Sequence, residues 1–286
     1  MPISPVQRAR TLERRITALA AERGTTASRL RRLVGFSVLC ETMVEAVAQG
    51  AIPFFFVKGG VAIELRLGLA ARATRDLDIG LCAPAEELLP AFDASLAVGF
   101  GDFRLRRRGE ARVLDNGARS LQVTVEYVGR PFATVDVDLA EATIDVRTDP
   151  VEPIALHELG LMHPRAVPCL SLTEQVAQKI HALTEPGPRG RVNMRARDVL
   201  DVLLLDARLS LDTEAITQAC VSIFAQRATH EWPILRFSFP SEWDAILAEF
   251  VRQVNYDTSD VGVIERRFNA FLTRLNGAPL IPSSTA

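Results

Sequence analysis

Phe54 to Leu81, FFFVKGGVAIELRLGLAARATRDLDIGL, constrains the fold of this chain more than any other stretch. Ile52 to Val57 is an apolar run with the length and aromatic content of a buried strand. It stops at Lys58-Gly59-Gly60, after which Val61, Ile63, Glu64, Leu65 and Leu67 suit a short helix. A strand that runs through paired glycines into a helix gathers free backbone N–H groups at the positive end of the helix dipole, which favours a phosphate. Arg75 to Leu81 reads as a second strand, carrying Asp76 and Asp78. Side chains two apart on a strand leave the same face. The two carboxylates therefore lie together, and Leu77, Ile79 and Leu81 turn to the core. Adjacent carboxylates repel unless a cation sits between them, and a hard divalent ion is the usual answer. Taken singly, a DxD is commonly a solvated strand face and a GG a turn. One helix apart, they predict a phosphate–metal site.

Of 33 basic residues, only Lys58 and Lys179 are lysines, which points to a GC-rich coding sequence. The two that remain are candidates for sites that need a compact ammonium rather than a planar guanidinium. A chain of 286 residues, 48% apolar and 24% charged, has room for one large or two intimate globular domains. A net charge of −2 gives no global attraction to nucleic acid, so any such contact must be local. Cys40, Cys82, Cys169 and Cys220 lie far apart without paired spacing and predict reduced, buried thiols of a cytosolic protein. The four histidines make no zinc pattern. Met1 to Arg10 has no apolar signal core and no stretch is long enough to span a membrane, so the expected location is cytoplasmic.

Residues 1–50 predict two helices, Pro5 to Glu22 and Ser28 to Gln49, packing on the core. Leu30, Leu33, Val34, Val38, Met43, Val44 and Val47 form the apolar face of the second. Arginines 8, 10, 14, 15, 29, 31 and 32 read as solvated helix faces, with RNA or partner contact the weaker alternative. In the core, over 51–150, Pro84 to Ala97 is a helix, and Phe103 to Val113 and Ser120 to Tyr127 are strands around the turn signal Asp115-Asn116-Gly117. Arg104 to Arg112 makes a basic stripe, either an exposed strand face or an acceptor-binding one. Phe132 to Leu139 adds a strand with Asp136 and Asp138 on one face, completing a carboxylate cluster of the kind used in two-metal nucleotidyl transfer. Asp145 to Pro168 reads as a connector.

A helical C-terminal domain, 151–276, and a disordered tail, 277–286, complete the expectation. Ser171 and Glu174 form a capping box that opens a helix. Lys179 falls at the edge of its Leu172, Val176, Ile180, Leu183 stripe, where it either snorkels to water or reaches into a site. Glu185 to Met194 is a Gly/Pro/Arg loop, and Arg195 to Leu205 a helix on which Asp198 and Asp201 share a face. Arg197 and Asp201 are spaced for an ion pair. Three more amphipathic segments follow: Thr213 to Arg227, Ser241 to Val254 and Val263 to Leu275.

Lys58-Gly59-Gly60 with Arg72-x-Thr74-x-Asp76-x-Asp78, then Val135-Asp136-Val137, Glu174-x4-Lys179 and Arg197-Asp198-x2-Asp201 resemble, in order, the motifs of the AbiEii/AbiGii nucleotidyltransferase-like toxins, which include the MenT toxins. They span residues 54 to 205. The resemblance implies an α/β fold, a minimal nucleotidyltransferase core with a mixed sheet flanked by helices, followed by a helical domain. It implies a Mg²⁺-dependent transfer of nucleotides from NTP to RNA, at the tRNA 3′ end in some members, and a cognate antitoxin. By position, Asp76, Asp78 and Asp136 would hold metal, Asp136 being preferred to Asp138. Lys58, Gly59, Gly60, Arg72 and Thr74 would bind the nucleotide, Lys179 would contact the triphosphate, and Asp198 would support the site. Val61 departs from the Thr or Ser common after the glycines and removes a hydroxyl near the phosphates. Two other readings stand beside this one: a nucleotidyltransferase acting on a small molecule or protein hydroxyl, and a nucleotide-binding module without turnover. Arg104, Arg106, Arg107 and Arg108, with Arg189 and Arg191, are the expected RNA contacts.

Overall fold

The computed structural model describes residues 4–153, 158–161, 165–187 and 190–277. The tail expected over 277–286 falls, beyond Gly277, outside the described residues, as does Arg189. The chain divides into two compact units, Met1–Leu69 with Ala73–Leu170, and Ala70–Arg72 with Ser171–Ala286.

The first unit is a mixed sheet with helices. Its elements in chain order are α1 (Pro5–Glu22), α2 (Ala27–Ala48), β1 (Phe55–Lys58), α3 (Gly59–Leu67), β2 (Asp76–Leu81), α4 (Leu88–Val98), β3 (Phe103–Val113), β4 (Arg119–Tyr127), β5 (Arg130–Glu141), β6 (Thr148–Val151) and β7 (Val167–Leu170). The strands lie in the order β3-β4-β5-β2-β1-β7-β6. β2 runs parallel to β5 and β1 parallel to β7, and the other neighbours are antiparallel. Leu77, Ile79, Leu81, Val135, Val137 and Leu139 are fully or almost fully buried on one face of the sheet.

Helix α2 is the spine of that core. Every residue from Leu33 to Met43 is buried, Ser37, Glu41 and Thr42 included, a wider buried surface than the single apolar face expected from periodicity. The reason is that α2 is enclosed by α1 and α4 as well as by β5. It lies close against the sheet at Gly35, where a Cβ would stand 3.3 Å from both Ala133 and Val135 of β5. Burying each of Phe36, Leu39 and Met43 contributes about 1.5–3 kcal/mol. The N-terminal arginines serve this packing: Arg8 pairs with Asp102 at 2.5 Å, and Arg15 donates to the Leu159 carbonyl at 2.9 Å.

The segment expected to be a connector, Asp145 to Pro168, instead supplies β6 and the start of β7. Both strands have only four residues and carry a proline, Pro150 and Pro168, which hid them as strands. Pro150 is tolerated because β6 is the sheet's edge. The boundary between units accordingly lies at Leu170 and Ser171 rather than near residue 150.

The second unit is helical: α5 (Leu172–Thr184), α6 (Ala196–Arg208), α7 (Thr213–Arg227), α8 (Trp243–Val254) and α9 (Val261–Leu275). Ser171 caps α5 by accepting from the Glu174 N–H at 3.2 Å, as the capping box predicts. Asp212 and Asp260 cap α7 and α9 in the same way. Trp243, Phe268 and Phe271 fill its core. Among the described residues no helix is long and apolar enough to cross a membrane.

Candidate active site

The carboxylates come together through strand register. Asp76 of β2 stands opposite Asp136 of β5, and Asp78 opposite Asp138. Paired positions on neighbouring strands share a face, with strands about 4.8 Å apart. Leu77 and Val137 alternate with them into the core, both fully buried. All four aspartates thus stand on the face away from α2, with Asp76 and Asp136 exposed and Asp78 and Asp138 half-buried. Gln122 of β4, opposite Asp136, donates to its Oδ1 at 2.8 Å and fixes that carboxylate. Sequence reasoning missed Gln122. The alternation of β4 marks it as outward-facing, but only the register shows which aspartate it meets.

On the other side of β2, Lys58 of β1 pairs with Asp78 in register and so joins the same face. Gly59 and Gly60 then open α3, to which the N-cap residue Lys58 makes no side-chain capping bond. Gly59 is required twice over. Its φ is +66°, and a Cβ there would come within 1.9 Å of Asp78 Oδ2. Gly59→Ala must therefore strain the backbone and displace Asp78. The expected result is a loss of about 1–3 kcal/mol in urea denaturation and a fall of about 100-fold in any reaction that depends on the Asp78 carboxylate, the scale of a misplacement by an ångström. Val61, by contrast, is fully buried in the core.

Glu64 of α3 is a second residue that sequence reasoning placed only as part of a helix pattern. It is buried, with its Oε2 accepting from the Thr74 N–H at 3.3 Å and its Oε1 from Arg29 at 3.4 Å. It thereby ties the segment leading into β2 to α3. Burial raises its pKa, and the Arg29 charge and the Thr74 N–H oppose that shift.

Arg72, Lys179, Asp198 and Asp201 form a buried ionic centre in the helical unit. Lys179 Nζ donates to Asp198 Oδ1 and to Asp201 Oδ2, each at 2.7 Å. Arg72 grips Asp201 with Nε and Nη2, both at 3.0 Å, and its guanidinium lies 5.9 Å from the centre of the Phe250 ring. Burial pulls the Lys179 ammonium down, but Asp198 and Asp201 outweigh it and its pKa stands raised. Burial likewise lifts Asp201, yet Lys179 and Arg72 prevail and hold its carboxyl below the usual range. Asp201 was expected to pair with Arg197, four residues before it. Arg197 is instead exposed, and the true partners come from α5 and from the segment before β2.

Among the described residues no three His, Cys, Asp or Glu side chains already converge as a metal cage. The donor chemistry at the sheet nevertheless fits a hard divalent cation. Asp76, Asp78 and Asp136 offer only carboxylate oxygens, on one face and in register.

Carboxylates placed this way beside a glycine-opened helix can hold a triphosphate and align a hydroxyl against it, and the chain is a nucleotidyltransferase. It belongs to the AbiEii family: the family model described as nucleotidyl transferase AbiEii toxin, type IV toxin–antitoxin system, matches residues 42–274. Among solved structures, MenT4, a nucleotidyltransferase toxin from Mycobacterium tuberculosis H37Rv, is 16% identical, covering 87% of this chain and 98% of its own, with a TM-score of 0.49. The antibiotic-resistance factor ANT(2'')-Ia is 19% identical, covering 67% of this chain and 92% of its own, with a TM-score of 0.37. Its complex with adenylyl-2''-tobramycin aligns at 20% identity over 67% and 98% of the two chains, also with a TM-score of 0.37. No curated protein matches the chain significantly.

Proposed function

We propose that this toxin transfers nucleotides from an NTP to the 3′ hydroxyl of RNA, tRNA being the expected acceptor, and that Asp76, Asp78 and Asp136 hold Mg²⁺ as it does so. The observation that carries the reading is the register of β2 with β5, which sets Asp76 against Asp136 on the face that Lys58 shares. Gly59 and Gly60 would present the N-terminal N–H groups and dipole of α3 to the triphosphate. Lys58 adds a point charge opposite Asp78. Gln122 restrains Asp136, and Glu64 restrains the approach to Asp76 through Thr74. Bound Mg²⁺ would lower the pKa of the acceptor hydroxyl and neutralise charge on the leaving pyrophosphate.

The ionic centre takes a different role in this reading. Two cations, Arg72 and Lys179, balance two anions, Asp198 and Asp201, within the helical unit. We assign all four to its architecture in preference to direct contact with the triphosphate. The family's place in type IV toxin–antitoxin systems supports a cognate antitoxin.

Incubation with each NTP labelled at the α-phosphate, Mg²⁺ and total RNA tests the proposal. Label is expected in RNA of tRNA size, from one or a few of the NTPs. Label only on a small molecule or a protein would move the acceptor to that class. No transfer from any NTP to any acceptor would overturn the reaction itself.

A further inference from the structure

The register carries the carboxylate row on to β4 and β3. Asp136 pairs with Gln122, which pairs with Arg108. Asp138 pairs with Ser120, which pairs with Arg112. Arg108 and Arg112 therefore share the face of the four aspartates, two strand spacings or about 10 Å from β5. Arg106, opposite Thr124, stands on the same face and makes an exposed ion pair with Glu126 at 3.2 Å. A pair of that kind contributes little and yields readily to another anion. Arg108 and Arg112 are exposed, and neither side chain has a hydrogen bond or ion pair among the described residues. Four residues apart, they share a face by alternation, and an irregularity in β3 between them, with Gly109 at φ +70°, sets them opposite residues only two apart on β4.

Arg107 alternates to the opposite face. Its Nε and Nη2 hold both oxygens of Asp93 in α4, at 2.7–3.2 Å. It cannot serve the stripe that the sequence assigned to it.

Two features that attract phosphate thus flank the carboxylates. The start of α3 and Lys58 lie on the β1 side, a compact corner suited to a triphosphate. The arginines lie on the far side, along an 11-residue strand. An extended row of separate cations fits a polymer of phosphates better than one small anion. We propose that Arg108 and Arg112, assisted by Arg106, hold the backbone phosphates of the RNA strand whose 3′ hydroxyl reaches Asp76 and Asp136. This rests on RNA as the acceptor.

Binding separates this proposal from the reaction it serves. A fluorescent single-stranded RNA with a free 3′ hydroxyl is titrated at several salt concentrations against the wild type, Arg108→Ala/Arg112→Ala and Arg107→Ala, with thermal melting of each. Losing two phosphate contacts on a single strand should lower the slope of log affinity against log salt by about 1.4, and the affinity at 0.1 M salt by roughly 25-fold. Arg107→Ala should lose melting temperature while keeping the wild-type slope. A wild type that does not bind RNA, a double variant with unchanged affinity, or an equal loss in Arg107→Ala would each overturn the track. Should the contrast hold while no nucleotide is added to RNA, the track stands and the proposed reaction fails.

Discussion

Asp76→Asn is expected to reduce nucleotide transfer by about 1,000-fold or more, the equivalent of roughly 4 kcal/mol of transition-state stabilisation. The substitution is nearly isosteric, and Asp76 is an exposed residue on a strand that otherwise keeps its register. Stability should accordingly change by no more than about 0.5 kcal/mol, with relief of repulsion against Asp136 opposing any loss. Asp78→Asn and Asp136→Asn should behave alike. Asp138→Asn is the comparison that matters, because Asp138 sits opposite Asp78 just as Asp136 sits opposite Asp76. A deeper defect in Asp138→Asn than in Asp136→Asn would reassign the third carboxylate. The same variants provide a cellular readout: expression of the wild type without its antitoxin should arrest growth, and Asp76→Asn should relieve the arrest. Undiminished transfer by Asp76→Asn would remove the carboxylate row from the chemistry.

Lys179→Met should cause the largest loss of stability. It leaves the buried carboxylates of Asp198 and Asp201 with one buried cation, Arg72, which already spends its fork on Asp201. Breaking a buried pair from one side costs about 3–5 kcal/mol. A pH series provides the sign. Asp201 has a depressed pKa when folded, so its contribution is present above the unfolded value of about 3.9 and is lost as the pH falls through the folded value. Lys179 has a raised one, so its contribution is complete below about 10.4 and is lost as the pH rises through the folded value. The gap between wild type and variant in denaturant unfolding should therefore be widest between about pH 4 and pH 10 and shrink on either side. A gap under about 1 kcal/mol at pH 7 would mean that the centre adds little to the fold.

Most of the site on the sheet is legible in the chain because local rules govern it. Alternation places Asp76 and Asp78 on one face, and the glycine pair marks where a strand must meet a helix closely. What escaped depends on partners that no short-range pattern names. Asp201 has an arginine four residues away at helical spacing, yet it binds Arg72, 129 residues distant. Arg107 sits in a run of like residues, and only alternation within a realised strand turns it to Asp93. β6 and β7 are short and contain proline, so they lack the apolar alternation that revealed β3, β4 and β5.

The placement of Ala70–Arg72 within the helical unit bears on how this gene can be cut and shuffled. A fragment starting at Ser171 contains the five helices described for that unit but omits Arg72, leaving two buried carboxylates with one buried cation, Lys179, and the exposed Arg195, 3.6 Å from Asp198. It carries a net negative charge in its interior and should not survive as an independent module. The helical half is thus contiguous in space but not in the gene. Recombination between relatives that exchanges it after a single crossover near residue 170 will succeed only where both parents supply the same arginine ahead of the Thr74-x-Asp76-x-Asp78 segment.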